Sequence, residues 1–469
     1  MKQGRDEMKF SQKMTATFGA MATVGSLFCS TVVSADTLSD ALIWAYQSSP
    51  TLKINQAALR AADEEVVQAR AGKRPQLDAV GSLGLSDSTT QGRNLTDSFR
   101  AQLDASLLLF DGGRTEAAVQ AARANVAASR AGLTSAEQTV LLDAIVAYVD
   151  VRRDQRFVNL AENNVGVIDQ QVKAARDRFD VGEVTRTDVS QADARLSSAR
   201  SNLASSRGAY LRSLQTYEVA VGRPASNLAP PPALPKMPTT LDQPMSISNQ
   251  EHPALRSARF ALQAAEFDVL RAKSAKSPTV SLGANVTYGI NTQTDGLDQL
   301  NGSVNLNGSM PLLDGGTNDS LIRSAMSVLD RRKAELQNAG RSVMQNTSIA
   351  WTNLDVARAS IRSSRQQIRA ARIAFEGIQE EAKLGARTTL DVLDAEQEVL
   401  NAESDLASAQ RDEYVAAYNL VSSMGLLTTQ YLKLGIEPYN PSANYRAVTG
   451  ENLSSEGAAL NRIGRRWSN

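Results

Sequence analysis

Cysteine, histidine and aromatic residues are scarce in this 469-residue chain, and each shortage closes off a class of function. The only cysteine is Cys29, close to the start, so disulfide staples and thiol chemistry are excluded from the rest of the chain. The only histidine, His252, cannot build a metal cluster, and its place before Pro253 reads as structural. Neither sign of charge is in excess: 50 basic residues face 50 acidic ones, so no basic face is expected and no nucleic-acid partner. No GxxxxGK[ST] loop is present to cradle a nucleotide, and no Ser–His–Asp arrangement stands out. The chain is therefore expected to be no enzyme, with no cofactor, no catalytic residue and no metal. Aromatics make up only 5%. Together with abundant Ala, Ser, Gln and Arg, that is the composition of long packed helices rather than of a thick globular core.

Residues 1–35 read as an export signal. Lys2, Arg5, Lys9 and Lys13 form a basic start, a small apolar stretch follows, and Val33-Ser34-Ala35 fits a small-residue cleavage site. A transmembrane anchor fits less well, because Thr and Ser interrupt a short segment. Phe28 precedes Cys29 where a lipoprotein signal wants a small residue. The mature chain is expected to begin at Asp36. Without those four cations and without Asp6 and Glu7, the 50 basic and 50 acidic residues become 46 and 48.

What the chain does have is itself, twice. Ser49-Pro50-Thr51-Leu52 matches His252-Pro253-Ala254-Leu255, Leu109-Phe110-Asp111-Gly112-Gly113 matches Leu312-Leu313-Asp314-Gly315-Gly316, and Val181-Gly182-Glu183 matches Leu384-Gly385-Ala386. The offset is 203 in every pair, as Pro50 and Pro253 show. A constant offset marks a tandem duplication, so one structural unit acts twice.

One repeat predicts the architecture. Residues 36–73 carry Leu38, Ala41, Leu42 and Ala45 at helical spacing until Pro75. Residues 77–85 and 101–110 alternate around a polar tip at 86–98, which predicts a two-stranded hairpin. A strand of about 9–11 residues can cross a bilayer at a tilt; a soluble hairpin fits the same pattern. Residues 114–180 contain no proline, and Val119, Val126, Leu133, Val140 and Ala147 fall seven apart, a coiled-coil seam on a helix about 100 Å long. Gly182 turns the chain, and residues 185–221 return as a helix. The second repeat predicts the same, with a long helix at 318–383 and a return at 388–424. The chain thus divides into a signal at 1–35, a first repeat at 36–228 with its hairpin at about 76–110, a proline-rich linker at 229–243, a second repeat at 244–427 with its hairpin at about 279–313, and an irregular tail at 428–469. If the strands lie in lipid, four per chain cannot close a barrel, and open edges are not tolerated there. Single-chain barrels start at eight strands, whose interior side chains fill. A conduit needs more, which favours three chains and twelve strands.

At this point the chain resembles the TolC family of outer-membrane channel-tunnels. The resemblance covers about residues 36–427. It is carried by the duplication, by the two Asp-Gly-Gly turns, and by Leu384-Gly385-Ala386-Arg387-Thr388-Thr389-Leu390-Asp391-Val392-Leu393-Asp394-Ala395. It implies a mostly α protein with a membrane β part: a homotrimer whose twelve-stranded barrel sits in outer-membrane lipid and whose helical barrel hangs into the periplasm. It implies the exit duct of a tripartite efflux pump for drugs and other toxic small molecules, or else the outer-membrane component of type I protein secretion. The partners implied are a periplasmic adaptor protein and an inner-membrane pump or ABC transporter.

The repeats serve as a control on candidate residues. Asp391 has a partner in Asp188, so an acid there is a generic helix-start residue. Asp394 and Arg387 are matched by Gln191 and Val184, so they break the symmetry at one tip. The resemblance implies that Asp391 and Asp394 line a carboxylate ring at the periplasmic constriction. It implies too that Arg387 tethers its tip near Thr187 and Asp188, and that the turns at Gly182 and Gly385 meet the adaptor. A second, aromatic tether of the family falls on Ala382 and is expected to be missing. Six converged carboxylates would repel one another and attract cations.

Overall fold

The computed structural model describes residues 36–88, 94–291 and 299–450. The expected signal, both hairpin tips and the last nineteen residues lie outside this range. The elements are α1 (Leu38–Ser48), α2 (Pro50–Ala71), β1 (Gln76–Ser88), β2 (Asn94–Phe110), α3 (Arg114–Asp180), α4 (Arg186–Val221), α5 (Asp242–Glu251), α6 (Pro253–Ser274), β3 (Thr279–Asn291), β4 (Gln299–Ser309), α7 (Thr317–Lys383), α8 (Thr389–Ser423) and α9 (Pro441–Thr449).

α3 and α7 are each 67 residues, about 100 Å of helix. α2 and α4 both pack along α3, and α6 and α8 along α7. Two shorter helices thus face one long one in each repeat. The seven-spaced positions Val119, Val126, Leu133, Val140 and Ala147 are all buried, which is what a coiled-coil seam requires. The repeats are knitted together because α3 also packs on α6 and α8.

The predicted single helix over 36–73 is two helices. Pro50 lacks an N–H and pushes Ser49 out of helical geometry, to ψ 119°. Ser49 then caps α2, its hydroxyl accepting from Leu52 N at 3.4 Å. The second repeat breaks in the same way at His252–Pro253, where His252 Nδ1 accepts from Ala254 N at 3.2 Å. The only histidine is thus a helix cap, and burial holds its pKa below the ordinary value.

The strands form one antiparallel sheet in the order β1-β2-β3-β4. They run 13, 17, 13 and 11 residues, longer than the alternation predicts, because strand pairing continues into the polar residues near the tips. The largest core cluster gathers α1, the middle of α3 and the ends of α4 and α8 around Ile145 and Tyr148. Tyr148 Oη donates to the Ala229 carbonyl at 2.6 Å and lies 3.0 Å from that of Asp36. It ties the start of the first repeat to the linker. Trp351, opposite Tyr148 in the second repeat, packs against this core.

The tail is less irregular than its sequence predicts. Leu434 and Tyr445 are buried, and α9 packs on α2. Asn444 Nδ2 donates to Asp63 Oδ2 at 2.8 Å, and the Thr429 N–H and hydroxyl donate to Glu137 at 2.8 and 2.9 Å. Periodicity is a weak guide for nine residues held by burial of one tyrosine.

Candidate functional site

The residues that the sequence singles out fall in two regions: the sheet at one end of the long helices and the two helical tips at the other. The register aligns like residues across the strands, apolar on one face of the sheet and polar on the other. Ala79, Leu103 and Val286 are paired across three strands, and Leu77, Ala105, Ala284 and Val304 across all four. The opposite face carries Asp78, Asp104, Asn285 and Ser303. The apolar side chains are bare: Leu83 is 86% exposed and Val304 73%. β1 and β4 are edge strands, each with one side unpaired. Such a sheet asks for a covering on its apolar face and a partner at both edges. No helix among the described residues is long and apolar enough to cross a membrane.

The sheet is joined to the long helices by two copies of one turn. Gly112 and Gly113 adopt φ of +64° and +86°, and Gly315 and Gly316 of +64° and +87°, a conformation that favours glycine. Asp111 accepts from Gly113 N at 3.1 Å and Thr115 N at 2.7 Å; Asp314 accepts from Gly316 N at 3.0 Å and Asn318 N at 2.9 Å. Burial raises the Asp111 pKa, but the bonds from Thr115 and Gly113 outweigh it and the net shift is downward. These aspartates aim the hairpins.

At the other end Gly182 (φ +82°) and Gly385 (φ +77°) turn the chain, with open space around both. Each return helix starts with a capping box. Asp188 N donates to Thr185 Oγ1 at 3.3 Å and Asp188 Oδ2 accepts from Thr185 N at 2.9 Å; Asp391 and Thr388 do the same at 3.2 and 2.9 Å. The generic helix-start reading therefore holds for this pair within the chain. The bonds from Thr388, with Arg387 adding less, hold the Asp391 carboxyl below its usual range. Its stabilising contribution is present above the unfolded value of 3.8 and is lost as pH falls through the lower folded one.

The two residues that break the symmetry behave differently. Arg387 Nε donates to Glu381 Oε2 at 2.7 Å, within its own tip, and this bond raises the guanidinium pKa. Within one chain Arg387 is thus engaged by Glu381, and Asp188 by its own cap, so the expected Arg387–Asp188 contact is not among the bonds formed by the described residues. Thr187 is exposed beside that cap. Asp394 reaches the other hairpin: Arg195 Nη2 of α4 lies 2.6 Å from its Oδ1. Next to this bridge, Leu393 of α8 is buried against Ile168, Val172 and Leu196 of α3 and α4. Arg195 was readable in the sequence, since its counterpart is Glu398, a charge reversal. Higher up, Arg411 of α8 binds Asp150 of α3 at 2.7 Å, where the counterparts are Gly208 and Asn353.

Known proteins share this plan. The outer membrane efflux protein family matches residues 44–223 and 245–426, one segment in each repeat. The outer membrane efflux protein BepC of Brucella suis is 33% identical over 431 residues, covering 92% of this chain and 94% of the relative. The outer membrane protein TolC of Escherichia coli is 25% identical over 430 residues, covering 86% and 85%. The solved structure of VceC, an outer membrane protein from Vibrio cholerae, superposes with a TM-score of 0.72 at 21% identity, covering 83% of this chain and 96% of that one, and shares its fold. With both repeats matched by one family and a relative of that identity along almost its whole length, the chain belongs to the outer membrane efflux protein family.

Proposed function

We propose that three copies of this chain close their sheets into a twelve-stranded barrel in the outer membrane, and their helices into a duct that spans the periplasm. Through it an efflux pump expels drugs and other toxic small molecules. The observation that carries this reading is an amphipathic four-stranded sheet with two unpaired edges, set at one end of helices about 100 Å long. Lipid covers the apolar face, and neighbouring copies pair the edges, as a closed barrel requires. Each copy supplies two hairpin units, one from 36–228 and one from 244–427. The duct has no energy source of its own, so its partners are a periplasmic adaptor, met at the tips around Gly182 and Gly385, and an inner-membrane pump. Deletion of the gene, followed by drug susceptibility and comparison of secreted proteins, tests this. Greater sensitivity to dyes, detergents and antibiotics supports the efflux duct. Unchanged susceptibility with loss of a large protein from the medium, the work of an ABC transporter, identifies type I secretion instead.

The tips form the gate in this reading. Arg195–Asp394 joins the two hairpins of one chain, whereas Arg387–Glu381 stays within one tip. Arg195→Ala is expected to raise single-channel conductance in a planar bilayer more than Arg387→Ala does. The pair is about half exposed, so its worth is about 0–1 kcal/mol and the open population rises at most about fivefold. A larger effect of Arg387→Ala would show that its tether lies across chains, near Thr187 and Asp188. Asp391→Ala with Asp394→Ala is expected to weaken cation selectivity and block by multivalent cations, because the converged charge is gone. Unchanged selectivity would leave these acids as helix-start residues only.

A further inference from the structure

The balanced composition conceals a basic face. Arg358, Arg362, Arg365, Arg369 and Arg372 recur on α7 at alternating spacings of four and three, which sets them in one stripe about 21 Å long. The counterpart positions on α3 are Gln155, Asn159, Glu162, Gly166 and Asp169, with no cation among them. The duplication therefore isolates a charge reversal. Asp169 of α3 lies 3.7 Å from Arg200 of α4; at the equivalent places Arg372 of α7 pairs with Glu403 of α8. Glu162 binds Arg207 at 2.8 Å; the equivalent residues are Arg365 and Gln410, and a glutamine neutralises nothing.

Arg358 has Glu413 at 3.6 Å. Among the described residues, Arg362, Arg365 and Arg369 have no ion-pair or hydrogen-bond partner, and neither does Arg156, which faces them from α3. Two adjoining clefts of about 380 and 400 Å³ run along this stripe and share Arg156, Arg365, Ala407 and Gln410. The result is an open groove floored by α8, walled by α3 and α7, with surplus positive charge along one wall.

We propose that this groove docks an acidic helix of a partner protein, one that carries carboxylates at the same three- and four-residue spacing. The surface is separate from the hairpin tips and does not depend on the duct reading. The charges favour an elongated occupant, since they are strung along about four turns of helix rather than converged on one point.

The test uses the full-length protein purified in detergent and labelled helical peptides of the stripe's length, with Glu, Gln or Lys at the spaced positions. The Glu peptide is expected to bind about tenfold more tightly than the Gln peptide at low salt, with the difference shrinking as salt rises. Arg365→Glu with Arg369→Glu should abolish that preference and favour the Lys peptide. Arg365→Gln with Arg369→Gln should abolish it without the reversal, and all these residues are exposed, so the fold is spared. Equal binding of the Glu and Gln peptides, or a preference untouched by either double variant, overturns the proposal. So does inorganic triphosphate that binds alone, and is lost in the variants, while the Glu peptide does not bind, since the groove would then be a small-anion site.

Discussion

Gly425→Ala should yield little assembled protein, whereas Gly385→Ala should yield nearly as much as the parent. Both glycines sit at positive φ, +80° and +77°, so both alanines bear a left-handed cost of about 1–2 kcal/mol. Their surroundings separate them. A Cβ at Gly385 meets open space. A Cβ at Gly425 lies 2.7 Å from His252 Cα and 2.9 and 3.0 Å from the Glu251 carbonyl oxygen and carbon. These are backbone atoms at the junction of α5 and α6, and they cannot rotate aside. Its N–H also donates to Ser422 O at 2.8 Å as α8 ends. The end of the second return helix is therefore locked to the start of the second repeat. A Cβ added at its counterpart Gly222 (φ +86°) would likewise collide, there with the Ser48 side chain of the first repeat. Thermal unfolding and the recovered folded fraction measure the difference; equal losses in the two variants would show that no close contact exists at Gly425.

Tyr445→Ala should lower stability by about 3–5 kcal/mol, the range for removing a buried aromatic ring. Tyr445 is wholly buried, and its ring lies 5.6 Å from the Arg130 guanidinium of α3. α9 is fastened around it. Asn440 caps the helix by accepting from Ser442 N at 3.0 Å, Arg130 donates to the Pro441 carbonyl at 3.3 Å, and Tyr439 N donates to Tyr46 Oη at 2.9 Å. The tail that follows the second repeat thereby clasps α2 and α3 of the first. Loss of the ring should free the segment beyond Leu427 to proteolysis before the long helices melt. Tyr431→Ala, at an exposed position, should change stability by no more than about 0.5 kcal/mol. A protected tail in Tyr445→Ala would show that the polar bonds alone hold it.

The long helices were legible because a seven-residue pattern sustained over about eight turns leaves no other reading, and α3 runs over the predicted residues. The hairpin turns were legible through Asp-Gly-Gly, whose glycines supply the positive φ and whose aspartate supplies the acceptors. Pro50 was visible too, yet the helical spacing of the leucines around it conceals a break that costs only one residue of register. α9 was not legible, since what makes it helical is a surface far away in sequence. At the tips, comparison of the repeats singled out Asp394 and Arg387 correctly as asymmetric but could not supply their partners. Arg195 and Glu381 become neighbours only through the packing of α4 on α8 and the turn of the tip. The arginine stripe was hidden by the equal totals of charge, because net charge says nothing about which face collects it.

The central claim is that the open sheet of one chain is closed by two others. The direct measurement is the mass of the particle extracted from outer membranes in mild detergent, with detergent and lipid accounted for. The account predicts a single species of three chains that survives dilution, because the unpaired edges of β1 and β4 are satisfied only in the ring. A monodisperse single chain that keeps its strands intact would contradict it.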